Sequence, residues 1–551
     1  MSVGSFVLML HSHLPFYRKA GMWPFGEESL YECMAETYIP LLNMIAELYD
    51  EGVLAKLTIG ITPILGEQLA DPYLKSGFEK WLAERIEAAR KDEERYAPLG
   101  ETPDMNRLHL AKFYLNWFQK ILADFQGTWE RDICGGFKKY QDLGAIEITT
   151  SAATHGFSPL LATDSSLYLQ FKTGVDAYKR MFGRDPKGVW LPECAYRPTQ
   201  DGRAGIDKWL HEVGLKYFFT ESDVIKGGQT SEMRRVFGAY GNIEYIPAAS
   251  RPETGLDTYE AYWLKDYPVA VMGRHHEAGY QVWSADNGYP GDGNFREFHK
   301  KDDRSGLHYW RLTSKETDLG FKETYNPDVA QERVRENSDH YVGVIQHALT
   351  DHLKRTGKPG LVMVSFDTEL FGHWWFEGMT FIKEVIKKLK THTAVDMVTA
   401  GEYVEKHPPT QAIELPESSW GAGGHFQVWY NNDTEWMWPI IHAAEKSLEQ
   451  QTKLHKNESP QMERALKQAA RELLLLESSD WPFLITTGQA KQYAVQRFNE
   501  HHQRFQELLE MISGNSVNET RVAEIEEIDN CFADIDSGCL LFEDRETQVA
   551  K

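Results

Sequence analysis

Residues 361–369 read Leu-Val-Met-Val-Ser-Phe-Asp-Thr-Glu, a mostly apolar run that ends abruptly in two carboxylates. Such a run reads as a buried strand, and the acids mark its C-terminal end. Similar runs occupy residues 5–10, 57–61, 145–150, 188–191 and 217–220, most of them closing in polar residues. Helix-periodic segments lie between several, among them 30–49, 164–182 and 331–355. This β-α alternation predicts an α/β barrel, in which chemistry sits at the C-terminal strand ends.

Two stretches break the alternation. Residues 67–144 are charged, aromatic and helix-periodic, and read as an inserted helical subdomain of a catalytic barrel spanning 1–408. After Pro408-Pro409 comes a glycine-rich loop around Trp420, then helical patterns at 466–477, 489–510 and 522–531. Residues 409–551 are therefore expected to form an α-helical domain, with a solvated acidic tail from Asp534.

Eighty-two acidic against 59 basic side chains leave the 551-residue chain at -23, which argues against a nucleic-acid partner. The composition, 42% hydrophobic and 26% charged, is that of a globular protein. Five scattered cysteines form no C-x-x-C pair and read as reduced thiols, and no 18-residue apolar run suggests a membrane span. A cytoplasmic protein, monomeric or a small homo-oligomer, is expected.

Trp190-Leu-Pro-Glu-Cys-Ala-Tyr196 sets Glu193 just past a strand, between aromatic side chains. Asp367 ends another strand and is followed by His373-Trp374-Trp375. Two carboxylates in an aromatic cleft suit glycosidic chemistry: one attacks the anomeric carbon while the other, kept protonated, donates to the leaving oxygen. Strand-end acids also serve as caps or metal ligands.

These residues, together with His11-Ser-His-Leu-Pro15, residues 144–151, Ser365-Phe-Asp-Thr-Glu369 and residues 396–403, resemble the five motifs of glycoside hydrolase family 57. Trp23-Pro-Phe-Gly-Glu-Glu28, Gln281-Val-Trp-Ser284, Gly288-Tyr-Pro-Gly-Asp-Gly293, Ser418-Ser-Trp-Gly421, Ser479-Asp-Trp-Pro-Phe483 and Thr487-Gly-Gln489 are similar to its 1,4-α-glucan branching members. The resemblance implies an incomplete (β/α)7 barrel, Glu193 as nucleophile and Asp367 as acid/base of a retaining transfer to a 6-hydroxyl. It implies an α-1,4-glucan substrate held at Arg274, Gly291, Trp420, Asp480 and Gln489, with no metal or cofactor. The last two contacts require the helical domain to fold back on the strand ends. Branching-type relatives carry tryptophan where this chain has Ser29, and a loop tyrosine for which Tyr240 and Tyr245 compete.

Trp23, Trp283, Trp420 and Trp429 offer flat faces to glucose rings and shelter from water, though tryptophans equally fill cores. His11 and His13 share one strand face and can reach a sugar. With His155 and His373 they could instead hold zinc, as in a deacetylase or mannosidase. Arg274 reads as a clamp on sugar hydroxyls or a partner of Asp286 or Asp292, and His275-His276 as a surface pair. A 4-α-glucanotransferase, an α-amylase-type hydrolase and a glucan-binding scaffold remain alternatives.

Overall fold

The computed structural model describes residues 2–23, 25–230, 233–236, 243–246, 248–284, 288–455 and 458–541. Its parallel strands are β1 (Gly4–Ser12), β2 (Leu57–Ile61), β3 (Ile146–Ser151), β4 (Val189–Trp190) and β5 (Tyr217–Thr220). Two small pairs follow, β6 (Gly228–Gln229) with β9 (Ser250–Arg251), and β7 (Met233–Val236) with β8 (Ile243–Ile246). The rest are β10 (Ala261–Leu264), β11 (Ala270–Gly273), β12 (Gly360–Asp367), β13 (Val395–Met397) and β14 (Ala412–Ile413).

One sheet runs β12-β1-β2-β3-β4, and β13 pairs with the start of β1. A parallel bridge between Gly188 and Tyr217 passes the ring to β5, which pairs with β11. The His275 N–H then donates to the Met363 carbonyl at 2.7 Å and closes the circle on β12. Seven parallel strands thus surround the interior, with two seams held by few bonds, which is an incomplete (β/α)7 barrel. The hairpin β10–β11 was not foreseen: β10 runs antiparallel to β11 and carries β14 on its far edge.

Alternation along the strands sorts the core. Phe6, Leu8 and Leu10 face the surrounding helices, whereas Val7 and Met9 fill the interior with Trp190, Phe219, Met272 and Met363. Continuing each inward series in steps of two residues reaches His11 on β1 and, through Ser365, Asp367 on β12. These two are partners in the parallel register, so they stand side by side at the strands' C-terminal end.

Helices at Pro72–Tyr96, Met105–Ala123 and Ile133–Asp142 occupy most of the 67–144 stretch. The segment from Met437 onward contains helices Met437–His455, Pro460–Leu476, Asp480–Thr487, Lys491–Ser513 and Glu519–Ile528. Its end differs from the solvated tail expected after Asp534. Ser537 and Leu540 are buried, and the turn Ser537–Leu541 packs on helix Asp164–Phe182.

Pro40 explains a detail that bears on the site. Having no N–H, it leaves the Glu36 carbonyl without its helical donor, and residues Met34–Tyr38 widen into a π turn. The chain after Asp367 packs into this opening: Gly372, at φ 106°, lies so close that a Cβ would sit 1.9 Å from the Glu36 oxygen. Gly372→Ala is therefore expected to destabilise the protein by about 1–3 kcal/mol in urea denaturation and to impair the neighbouring site. Unchanged stability and activity would contradict this packing account.

Candidate active site

Glu193 sits on the tight turn Pro192–Cys194 directly after β4. Its backbone is left-handed, φ 62° and ψ 24°, which a side chain adopts only when its surroundings impose it. They do so from both sides: the Cys194 N–H donates to Leu191, and the Trp420 N–H donates to the Glu193 carbonyl at 2.8 Å. The side chain is directed to two further donors. The Trp420 indole N–H reaches Oε2 at 2.7 Å and the Ser479 hydroxyl reaches Oε1 at 2.8 Å. Burial pushes the Glu193 carboxyl up to about 7, while these two hydrogen bonds pull it down.

Asp367 lies at the end of β12 and, among the described residues, accepts no side-chain hydrogen bond. Burial pushes it well above the usual carboxylate range; the charges of Glu369 and Glu193 add to this and Arg274 opposes it. Glu369 is itself pushed by burial to about 7, despite a hydrogen bond from the Tyr38 hydroxyl on the π turn. The His13 N–H also donates to Glu369, at 3.2 Å.

Three histidine rings stack beside these acids. His155 lies 3.9 Å from His13 and 5.1 Å from His11, centroid to centroid, and His11 stacks on Trp190 at 4.8 Å. His11 Nε2 meets His155 Nε2 at 3.2 Å, and His155 Nδ1 meets the Ser479 hydroxyl at 2.8 Å. His13 bonds Thr62 through Nδ1 and Asp480 through Nε2, at 3.0 and 3.1 Å. Burial works to lower His13, but the charge and hydrogen bond of Asp480 together with the charges of Glu193 and Glu369 outweigh it, and the net shift is upward. Five of the six ring nitrogens of this stack face a hydrogen-bond partner, and the sixth, His11 Nδ1, has none among the described residues. His373, the fourth histidine of the zinc reading, lies elsewhere, against Glu36 and Phe298.

The helical segment does reach the strand ends. Besides Ser479 and Asp480, the Ser479 N–H donates to the His155 carbonyl at 3.0 Å and the Phe157 N–H to Glu477 at 3.3 Å. Arg274, at the end of β11, is clamped by Glu221, 2.7 Å away, and not by the aspartates expected from sequence. Asp292 pairs with Arg333, and Asp286 lies outside the described residues. His275 is buried against Tyr259 and caps the helix His276–Trp283, so only His276 of that pair is exposed.

Among the described residues, the other expected contacts make no hydrogen bond to Glu193 or Asp367. Trp429 is 1% exposed, its ring covered by Phe157 at 4.8 Å, so it is core and not an open platform. Trp283 packs on Phe366, behind the strand that carries Asp367. Trp23 is 77% exposed, and Ser29 is half-buried beside the Tyr17 phenol. Gly291 ends the turn Tyr289–Gly291, which is anchored through Tyr289 on His340. Gln489 is exposed beyond helix Asp480–Thr487, whose eight residues span about 12 Å. Tyr240 lies outside the described residues, and only the backbone of Tyr245, on β8, is described. Residue types alone did not single out Ser479, Glu221 or Tyr38. Ser479 stands next to Asp480 in the chain, and that adjacency is the available signal.

A profile of glycosyl hydrolase family 57 matches residues 7–416, and one described as the 1,4-alpha-glucan branching enzyme C-terminal domain matches residues 440–539. The chain is 41% identical over 543 residues to a 1,4-alpha-glucan branching enzyme of Thermococcus kodakarensis, covering 96% of this chain and 77% of that one. It is 31% identical to a probable 1,4-alpha-glucan branching enzyme of Mycobacterium tuberculosis, over 90% of each. A solved family 57 branching enzyme from Thermococcus kodakaraensis superimposes with TM-score 0.90 over 98% of this chain and 97% of that chain. An α-amylase from Thermotoga maritima superimposes with TM-score 0.84 at 30% identity, over 99% and 100%. The chain belongs to glycosyl hydrolase family 57.

Proposed function

We propose that the protein is a 1,4-α-glucan branching enzyme that cleaves an α-1,4-glucosidic bond with retention and passes the released chain to a 6-hydroxyl. The observation that carries this reading is the unequal treatment of neighbouring carboxylates. Two donors on Glu193 favour its anion. Asp367 has neither, and the acids beside it favour its protonated form. A nucleophile needs the first state and a general acid the second.

In the first displacement a Glu193 oxygen bonds to the anomeric carbon as the bond to the departing chain breaks. The Asp367 proton goes to the departing oxygen. In the second, Asp367 as carboxylate takes the proton of an acceptor 6-hydroxyl, whose oxygen displaces Glu193 from the same carbon. Two inversions retain configuration. His11, His13, Trp420 and Asp480 border the reacting sugar in this reading; Arg274 clamps sugar hydroxyls from its place beside Glu221, and Trp23, Gly291 and Gln489 serve rings farther along the chain.

Transfer over hydrolysis is supported by likeness to branching enzymes along nearly the whole chain. The likeness to an α-amylase makes hydrolysis the second reading. The setting we infer is the cytoplasm and a glycogen-type polymer. The buried cysteines Cys33, Cys134, Cys194 and Cys531, none in a disulfide, fit a reducing compartment.

Incubation with amylose is expected to generate α-1,6 linkages, read from anomeric proton signals and sensitivity to a debranching enzyme; reducing ends without branches would support the hydrolase instead. Glu193→Ala and Asp367→Ala should each lower turnover by about 10³-fold or more with little change in thermal midpoint. Near wild-type rates in either variant would remove that residue from its role. Because Glu193 must be ionised to attack, kcat/KM should fall as pH drops through about 7, approaching tenfold per pH unit. A profile flat from pH 5 to 8 would contradict the assignment.

A further inference from the structure

Ser479 has one proton to give and two neighbours within 2.8 Å, the Glu193 carboxylate and the His155 ring. This arithmetic settles the direction of every bond behind Glu193. An ionised carboxylate only accepts, so the Ser479 proton points at Glu193 Oε1. The Ser479 oxygen must then accept, which requires the proton of His155 on Nδ1. His155 Nε2 is left as an acceptor, so His11, 3.2 Å away, must donate from its own Nε2. His11 Nδ1 consequently carries a bare lone pair. In agreement, it is buried and has no hydrogen-bond partner among the described residues. A missing partner costs less at an acceptor lone pair than at a buried N–H.

We infer that Ser479 is a positioning residue for the transfer: it ends a one-way donor chain, His11 to His155 to Ser479, that orients the Glu193 carboxylate toward the sugar. The inference rests on Glu193 being the nucleophile and goes beyond it, because it assigns work to a residue 286 positions away. The chain is rigid throughout. Ser479 and His155 are at most 2% exposed, and the Ser479 N–H is itself tied to the His155 carbonyl. Both histidines are held neutral, His155 by burial and then by its histidine neighbours, His11 by burial and then by His13. Neutral rings are what a chain of this polarity requires, since a doubly protonated imidazole has no acceptor.

The arrangement also couples the helical segment to the reaction. Trp420 holds Oε2 from the loop after the barrel, and Ser479 holds Oε1 from the helical segment. Neither donor belongs to the barrel strands. When one Glu193 oxygen bonds to the anomeric carbon, the donor on the other keeps the acyl plane fixed for the second displacement.

Other charges face Glu193 and must be kept constant in any test. They are His13 just after β1, Asp367 from β12 and Asp480 beside Ser479, with Cys194 next to it in the chain. Ser479→Ala leaves all four in place. Loss of a donor to an anion raises its pKa, so the acid limb of kcat/KM should move up by about one pH unit or more. At pH 6.5 kcat/KM should fall by about tenfold or more, with most of the loss in kcat. Ser479→Thr retains the hydroxyl and should restore the limb. A purely structural role for Ser479 predicts a lower thermal midpoint and no displacement of the limb.

The direction of the chain has its own readout. In protein labelled with ¹⁵N at histidine, His155 should be the Nδ1-protonated tautomer and His11 the Nε2-protonated one. An acid limb unmoved in Ser479→Ala, or a His155 protonated on Nε2, overturns the inference. If Glu193→Ala still abolishes turnover in the same series, the assignment of the nucleophile survives that failure. If Glu193→Ala is active, the proposed function fails with it.

Discussion

In the proposed reading the fold converges on one buried carboxylate, Glu193, that has to be an anion to act as the nucleophile. Burying a carboxylate raises its pKa unless hydrogen bonds favour the charged form. Glu193 meets that constraint with a strained turn, an indole N–H and a serine hydroxyl, each supplied by a different part of the chain. The barrel alone provides the turn; the donors come from beyond residue 408. This explains in physical terms why a helical segment follows the barrel and packs on its strand ends. Without it, Glu193 would lose the Ser479 donor.

The contrast with Asp367 follows from the same accounting. It stands beside His11 in strand register, yet receives no donor among the described residues, and its acidic neighbours oppose its ionisation. Glu369, held by Tyr38 and the His13 backbone, adds to the upward shift of the Asp367 carboxyl. The π turn that presents Tyr38 goes back to Pro40, four residues after Glu36. A single residue without an N–H thus reaches the electrostatics of the site through helix geometry.

Much of the barrel was legible because buried parallel strands are short apolar runs with polar ends; residues 57–61 and 217–220 match observed strands at both ends. The β10–β11 hairpin was not, since 261–264 and 270–273 lack a turn signature that distinguishes them from loop. Glu193 and Asp367 stood out as acids closing apolar runs. Ser479 did not, because its partner is 286 residues away and nothing local marks a serine as a donor. Trp429 and Trp420 look alike in sequence, both near glycines; only packing reveals that one is covered by Phe157 and the other bonds Glu193. Arg274 invited pairing with nearby aspartates, but the sheet places Glu221 next to it, 53 positions away.

The central claim, a glucosyl group carried covalently by Glu193, is tested most directly by trapping. A fluorinated α-glucosyl fluoride, whose intermediate forms faster than it breaks down, would be incubated with the enzyme, and the protein digested and analysed by mass spectrometry. The account predicts the added sugar mass on the peptide containing Glu193, absent in Glu193→Gln. Sugar attached to Asp367, or turnover with inverted configuration and no adduct, would contradict it.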